Sequence, residues 1–462
     1  MFEKPFQQVY GTEFEWPMAE RLDGKKHFDQ VKASSNSEDF LETYLLEGLI
    51  NNGRNRGSFL SNGSRYYSDV GEKVEYATPE DTSIMGVVVS ELAGERIAAE
   101  SLRRYIVDHE NIANVKMFKR AVDDKRETWG YHINVSEDRT KIINIPEDTK
   151  AVVAHLATSQ AILGGGAVFR DLKTKEYGYS FGQKVLAPIN HDYDVGTTLC
   201  TKPFVNLRDE PLADKEKFWR IHVVGVDPHI STWASWMSIG TIGLMLAASR
   251  QGKAKDLSVA GATAPAANLA VHASTDLEMR NYYKMSDGGR YTSLDIQAKC
   301  IDVARHVSDR TEEQDTILEE WERAHHVLST NPMSLMESDA IAKLALIRGN
   351  LERRNKEKMD EKSAEIDLEY TEVFSATKDQ ANKLTTDQLF ESSFPYKIRQ
   401  KYGRQAYVSS NQIHYAMYNP PIKTRAAKRA EIVKNGAFEV NWHEYNYKGD
   451  KKISLGEAIN SD

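Results

Sequence analysis

The chain is poor in cysteine: only Cys200 and Cys300 occur in 462 residues, and neither sits in a Cys-x-x-Cys or Cys/His cluster. That excludes a disulfide framework and a structural zinc site. An excess of positive charge is also missing. The formal net charge of −8 argues against general nucleic-acid binding. The first residues, "MFEKPFQQVYGTEFEW", lack a basic-then-apolar signal region, so a cytoplasmic protein is expected. Long apolar runs are scarce too. His229 to Ser249 carries no Asp, Glu, Lys or Arg, but it holds six Ser or Thr residues and two glycines. It therefore reads as a buried helix of a large domain, not a membrane span. The glycine run Gly164–Gly166 lacks a following Gly-Lys-Ser/Thr, which leaves a helix end and tight turn and excludes a P-loop.

What the chain does contain is a large core fraction, with 40% hydrophobic and 28% charged residues. Strand-like runs dominate the first third and recur near "KIINI" and "WRIHVVGVD". Helical periodicity is clear in "TSIMGVVVSELAGERIAAESLRRYIVD" and is expected in "KAVVAHLATSQAIL". From Thr311 to Glu369 the chain reads as charge-rich helices forming a solvated layer. Composition changes near "SSFPYKIRQKYG". The expected division is a catalytic domain over 1–393 and a small C-terminal domain over 394–462.

One stretch, "NGSRYYSDVGEKVEYATPE", places unusual chemistry on strands. In an extended chain Arg65, Tyr67 and Asp69 share a face, Tyr66 and Ser68 take the other, and "VGEK" forms a turn before Glu75. Such a face is either solvated surface or the floor of a polar site. In "YGTEFEW", Glu13 and Glu15 alternate on one face of a first strand, opposite Phe14 and Trp16. Adjacent carboxylates repel unless a cation lies between them. An oxygen-only set suits magnesium and a nucleotide phosphate. His132 with Asn134, and Arg220 with His222, repeat the polar alternation, while Arg208, Asp209 and Glu210 stand beside a turn proline. Arginines at sheet positions clamp phosphates and carboxylates, or form buried ion pairs.

In order along the chain, "YGTEFE", "NGSRYYSDVG", "VEYATPE", "AGERI", "WGYHIN", "VNLRDEPLAD", "WRIHVV", "SLDIQ", "DLEY", "TRAAKRA" and "VNW" resemble the family of prokaryotic ubiquitin-like protein (Pup) ligases and their sibling depupylases. The resemblance implies an α+β fold similar to glutamine synthetase: a curved, largely antiparallel sheet cradle packed with helices, followed by a small C-terminal domain. It implies ATP and magnesium as cofactors, with Glu13, Tyr67 and Glu75 at the metal. Arg65, Thr78 and Trp442 would contact ATP, and Asp69 would be the catalytic base. Arg208 and Arg220 match arginines suited to phosphate or substrate carboxylate. Tyr67, a neutral phenol, is expected to act through water or by positioning. The implied partners are a small acidic Pup-like modifier and lysine-bearing target proteins, without nucleic acid or membrane.

The chain departs from the family pattern in three places. Ile133 stands where His-Glu-Asn is usual, Leu207 and Leu212 replace a threonine and a histidine around "RDEP", and "VGEKVEYAT" replaces "VGSHPEYAT". The core acids and arginines survive. The short interval between Glu13 and Asn62, with "DVG", "EYAT" and "LDIQ", points to the ligase branch. The alternatives are a depupylase or deamidase, a small-molecule carboxylate–amine ligase, and a non-catalytic binding protein that keeps the nucleotide site.

Overall fold

A computed structural model describes residues 6–31, 51–53, 57–69, 73–123, 127–187, 189, 191–195, 202–261, 264–402, 408–437, 439–447 and 451–459. Cys200 and the Val70–Glu72 part of the expected turn lie outside the described residues.

Alternation in the sequence becomes a nine-stranded sheet. Its strands are β1 (Tyr10–Glu15), β2 (Asn51–Gly53), β3 (Gly57–Leu60), β4 (Arg65–Asp69), β5 (Lys73–Ala77), β6 (Tyr131–Asp138), β7 (His191–Asp194), β8 (Pro203–Asn206) and β9 (Phe218–Val223). The spatial order is β7-β8-β9-β6-β1-β5-β4-β3-β2, so the sheet is open, and only β7 and β8 pair in parallel. One face is apolar and aromatic. Phe14, Trp16, Tyr66, Tyr76 and Tyr131 are buried there, with Phe14 and Trp16 edge to face at 5.0 Å. Burying that face forces the alternate residues, the acids and arginines, onto the other.

The apolar face is covered by two helices that pack on each other, α1 (Ile84–Asp108) and α3 (Thr232–Arg250). Ser83 caps α1 by accepting from the Gly86 amide at 3.1 Å. Gly94 lets α1 lie close on β5, because a Cβ there would come 2.3 Å from the Tyr76 ring. Apart from its last residue, Arg250, α3 carries no charge, and it is buried from Trp233 to Ala248, as that composition requires. Among the described residues no helix is long and apolar enough to cross a membrane. Helix α2 (Lys150–Thr158) also forms. The following helical turn, Gln160–Leu163, ends at Gly164, and Gly166 takes the positive φ of 63°. The charged stretch after Thr311 forms α4 (Glu312–Thr330) and two further helices, Asp339–Arg353 and Glu361–Thr371.

"KIINI" is not a strand. Lys141 to Asn144 form a turn and connector, and Ile145 starts a short helix with Pro146 in its first turn. Asp138 accepts from the Thr140 amide at 2.8 Å and bends the chain there. Ile142 is buried while Ile143 is exposed.

Past Ser393 come helices, among them α5 (Ala426–Lys434), and a three-stranded sheet of Glu439–Val440, Glu444–Asn446 and Ile453–Ser454. This part is tied to the main sheet through Glu80. The Glu80 carboxylate accepts from Arg425 Nε at 2.8 Å and from Arg429 Nη2 at 2.5 Å. The Thr424 hydroxyl donates to the Glu80 carbonyl at 2.7 Å.

Candidate active site

Strand register assembles the polar face. Tyr67 stands opposite Glu75, Glu75 opposite Glu15, Glu13 opposite His132, and Asn134 opposite His222. Residues far apart in sequence thus converge on one surface. Its floor is acidic, and two groups of side chains have donor atoms close enough to share a cation: Glu13 with His132 and His222, and Glu15 with Asp69 and Glu75.

Glu13 meets His132 Nδ1 at 3.3 Å, His222 Nε2 at 3.5 Å and Arg220 Nη1 at 3.5 Å. Burial acts upward on its carboxyl, but hydrogen bonds from both histidines and the Arg220 charge outweigh it and hold the group well below the usual range. Burial pushes His132 down to about 4 and lowers His222 as well. Both imidazoles are therefore neutral at neutral pH and available as ligands. The oxygen-only set expected from sequence thus acquires two nitrogen donors at Glu13.

Glu75 behaves in the opposite way. Burial raises its carboxyl well above the usual range, and Glu13, Glu15 and Asp69 add to the effect, while a hydrogen bond from the Tyr67 phenol opposes it. Burial and the neighbouring acids keep that phenol protonated. A buried carboxylate ringed by three others needs a cation, and this donor set fits a divalent one. Lys73 already meets Glu15 Oε2 at 2.9 Å.

Arg65 lies over the rings of Tyr67, at 4.7 Å, and Phe59, at 5.5 Å. Its Nε is buried and has no hydrogen-bond partner among the described residues. A guanidinium in that state suits a ligand anion.

Beside the acids opens a cavity of about 1040 Å³, lined by Glu13, Thr78, Arg220, Arg425 and Trp442 among others. Thr78 is fixed by a hydrogen bond from the Thr12 amide to its Oγ1 at 3.0 Å. Trp442 is held edge-on to Phe59 at 5.0 Å, with the Arg429 guanidinium 4.7 Å from its ring. Thr78, Glu13, Arg220 and Trp442 therefore share one cavity, while Arg65, Tyr67, Asp69 and Glu75 continue the same sheet face. Arg208 is not among the cavity lining; it stands half-exposed near Glu210, 3.9 Å away. The Glu80–Arg425–Arg429 contact was not anticipated from sequence. The only trace of it there is the pairing of "TPE" with the distant "TRAAKR".

Carboxylates close enough to share a cation, a buried arginine nitrogen and an adjoining cavity are together the equipment that an ATP-dependent ligase requires. A family model described as "Pup-ligase protein" matches residues 6–446, and the chain belongs to that family. Among curated relatives, the Pup–protein ligase of Nocardioides sp. is 25% identical over 94% of this chain and 92% of its own length. The depupylase of Acidothermus cellulolyticus is 31% identical over 68% of this chain and 62% of its own. The Pup ligase PafA, solved in complex with Pup, shares the fold with a TM-score of 0.80 at 22% identity. That match covers 98% of this chain and 90% of PafA.

Proposed function

We propose that this protein is an ATP-dependent ligase joining the γ-carboxylate of the C-terminal glutamate of a small acidic Pup-like modifier to a lysine ε-amine of a target protein. The observation that carries this reading is the register that puts Glu13, Glu75, Asp69 and Arg65 on one face, continuous with the cavity reached by Thr78 and Trp442. In this reading Glu13 and Glu75 hold magnesium, whose charge offsets that of the phosphates when bound. Tyr67 positions Glu75 through its phenolic hydrogen bond.

Arg65 and Thr78 contact ATP, Trp442 lies against the base, and Arg220 clamps phosphate or carboxylate; Arg208 serves from the rim. A carboxylate oxygen of the modifier attacks the γ-phosphorus, ADP leaves, and an acyl phosphate forms. Asp69 then takes a proton from the lysine amine, the amine attacks the acyl carbon, and phosphate departs. Residues 394–462 act as a small unit that completes the nucleotide site, since Ile422, Arg425, Trp442 and Ile459 line the cavity. The sparse cysteine, with Cys300 a buried free thiol, agrees with a cytoplasmic setting.

The depupylase relative, at 31% identity, supports a second reading: hydrolysis of the same isopeptide bond. Purified protein with Mg-ATP, a lysine-bearing acceptor and modifier ending in Glu or Gln separates the two. A ligase forms one ADP per conjugate with the Glu form, and the acceptor gains the modifier's mass on a lysine. Ammonia released from the Gln form, or conjugate cleaved without ADP formation, would assign the protein to hydrolysis.

A further inference from the structure

Beyond the acidic floor lies a feature the mechanism above does not use. Lys184 is buried and donates to the Val224 carbonyl at 2.9 Å, and among the described residues no carboxylate lies within ion-pair distance of it. A buried ammonium with one carbonyl acceptor has donors to spare for an anion. The backbone around it is built with care. Asp227 accepts the amides of Lys184, Gln183 and Gly165, all at 2.7–2.8 Å, and the Gln183 side chain donates to the Gly165 carbonyl at 3.1 Å. Gly165 is thus tied to the same carboxylate that fixes the Lys184 backbone.

Two more lysines share one partner, and one of them, Lys73, also pairs with Glu15 Oε2 at 2.9 Å. Lys73 Nζ donates to the Thr128 carbonyl at 2.5 Å, and Lys202 Nζ to the Thr128 hydroxyl at 2.7 Å, so both ammonium groups meet at one residue. Lys184 is linked to the same region through its neighbour Gln183, whose side-chain oxygen accepts the Ala121 amide at 2.7 Å, while the Ala121 carbonyl accepts the amide of Trp129, next to Thr128, at 2.8 Å. Lys73 meets Glu15 at the end of β1 and shares Thr128 with Lys202, and none of the three lysines lines the nucleotide cavity, which borders the Tyr10 end. The acids lie between cavity and lysines.

We propose that Lys184, with Lys73 and Lys202, forms an anion subsite for the α-carboxylate of the modifier's terminal residue. The inference rests on the ligase reading and adds to it the means of recognising a chain end. A terminal glutamate brings two carboxylates, separated by the α-carbon and two methylenes. The γ-carboxylate must reach the phosphoryl group, which leaves the α-carboxylate among acids that repel it unless cations lie on the far side. The three lysines supply them. An internal glutamate, or a terminal α-amide, has no charge to place there.

The test is equilibrium binding, without nucleotide, of fluorescein-labelled Pup semisynthesised with its terminal glutamate as free acid or as α-amide. Wild type is expected to prefer the free acid by about tenfold, the effect of losing one charge-assisted contact. In Lys184→Met the preference falls below about twofold, Lys184→Arg restores most of it, and Mg-ATP binding stays within about twofold of wild type. Lys202→Met serves if Lys184→Met fails to fold. Equal binding of acid and amide by wild type overturns the subsite alone, as does a full preference in the Met variant. A matching loss of Mg-ATP affinity moves the lysine to the nucleotide and also overturns it. Failure of wild type to bind either form overturns the ligase reading together with this one.

Discussion

At Glu75 the ionised form is favoured only when a cation is close, because burial and the charges of Glu13, Glu15 and Asp69 all favour the protonated acid. Glu75→Gln removes that repulsion. In metal-free buffer the variant should unfold at the wild-type temperature or above it. Added Mg-ATP should raise the wild-type transition and leave the variant nearly unmoved, since ligand stabilisation scales with affinity. A variant that gains as much as wild type would take Glu75 out of the metal shell. Asp69 answers a different measurement. Asp69→Asn should keep Mg-ATP binding yet slow conjugation by about 10²–10⁴-fold, the usual contribution of a general base; a near-native rate would mean the proton leaves by another route. The Arg65, Tyr67 and Asp69 face was legible because alternation within one strand needs no tertiary information. The histidines around Glu13 were not. Which strand β6 pairs with, and in which register, is decided by packing of the apolar face, so Glu13 opposite His132 follows from the fold and not from either segment alone.

Elements with a strong period formed where their patterns put them. Helix α1 carries its repeat over 25 residues, and the lack of charge in α3 before Arg250 leaves burial as the stable placement of that stretch. "KIINI" failed because three isoleucines suggest a strand, while Pro146 and the Asp138 turn decide the backbone. The join between β5 and the C-terminal elements could not be read from sequence at all, because Glu80 and Arg429 are 349 residues apart. Two guanidinium groups hold the Glu80 carboxyl at about 2, although burial acts against them. Glu80→Gln leaves Arg425 and Arg429 buried without the carboxylate they both bond, a change that costs about 3–5 kcal/mol when one partner of a buried pair is lost. Denaturant unfolding should show that loss. Because Arg429 also holds the Trp442 ring and carbonyl, the apparent requirement for ATP should rise in the folded fraction. Unchanged stability would mean that the contact contributes no more than an exposed ion pair.

Across the whole molecule, one acidic face and a buried set of neutral histidines make stability depend on pH. Burial pushes His132 to about 4 and His155, which lies 3.0 Å from the Thr241 hydroxyl, to about 3. Unfolded, each titrates near the reference value of about 6.5. Between those values the unfolded chain binds more protons than the folded one, so stability is complete above about pH 6.5 and falls as pH drops towards 4. At pH 5 each histidine accounts for about 2 kcal/mol of that loss. Glu75 has the opposite sign: its raised folded value adds stability as it takes up a proton, which offsets part of the decline. Urea midpoints measured without metal at pH 7, 6 and 5 should therefore decrease, and more steeply in Glu75→Gln, where the opposing contribution is gone. His155→Gln, remote from the acidic face, should flatten the curve by about one histidine's share. In Glu75→Gln, a midpoint that holds steady or rises from pH 7 to pH 5 would show that the histidines protonate within the fold, and the Glu13 site would then carry charged imidazolium groups that cannot bind a metal.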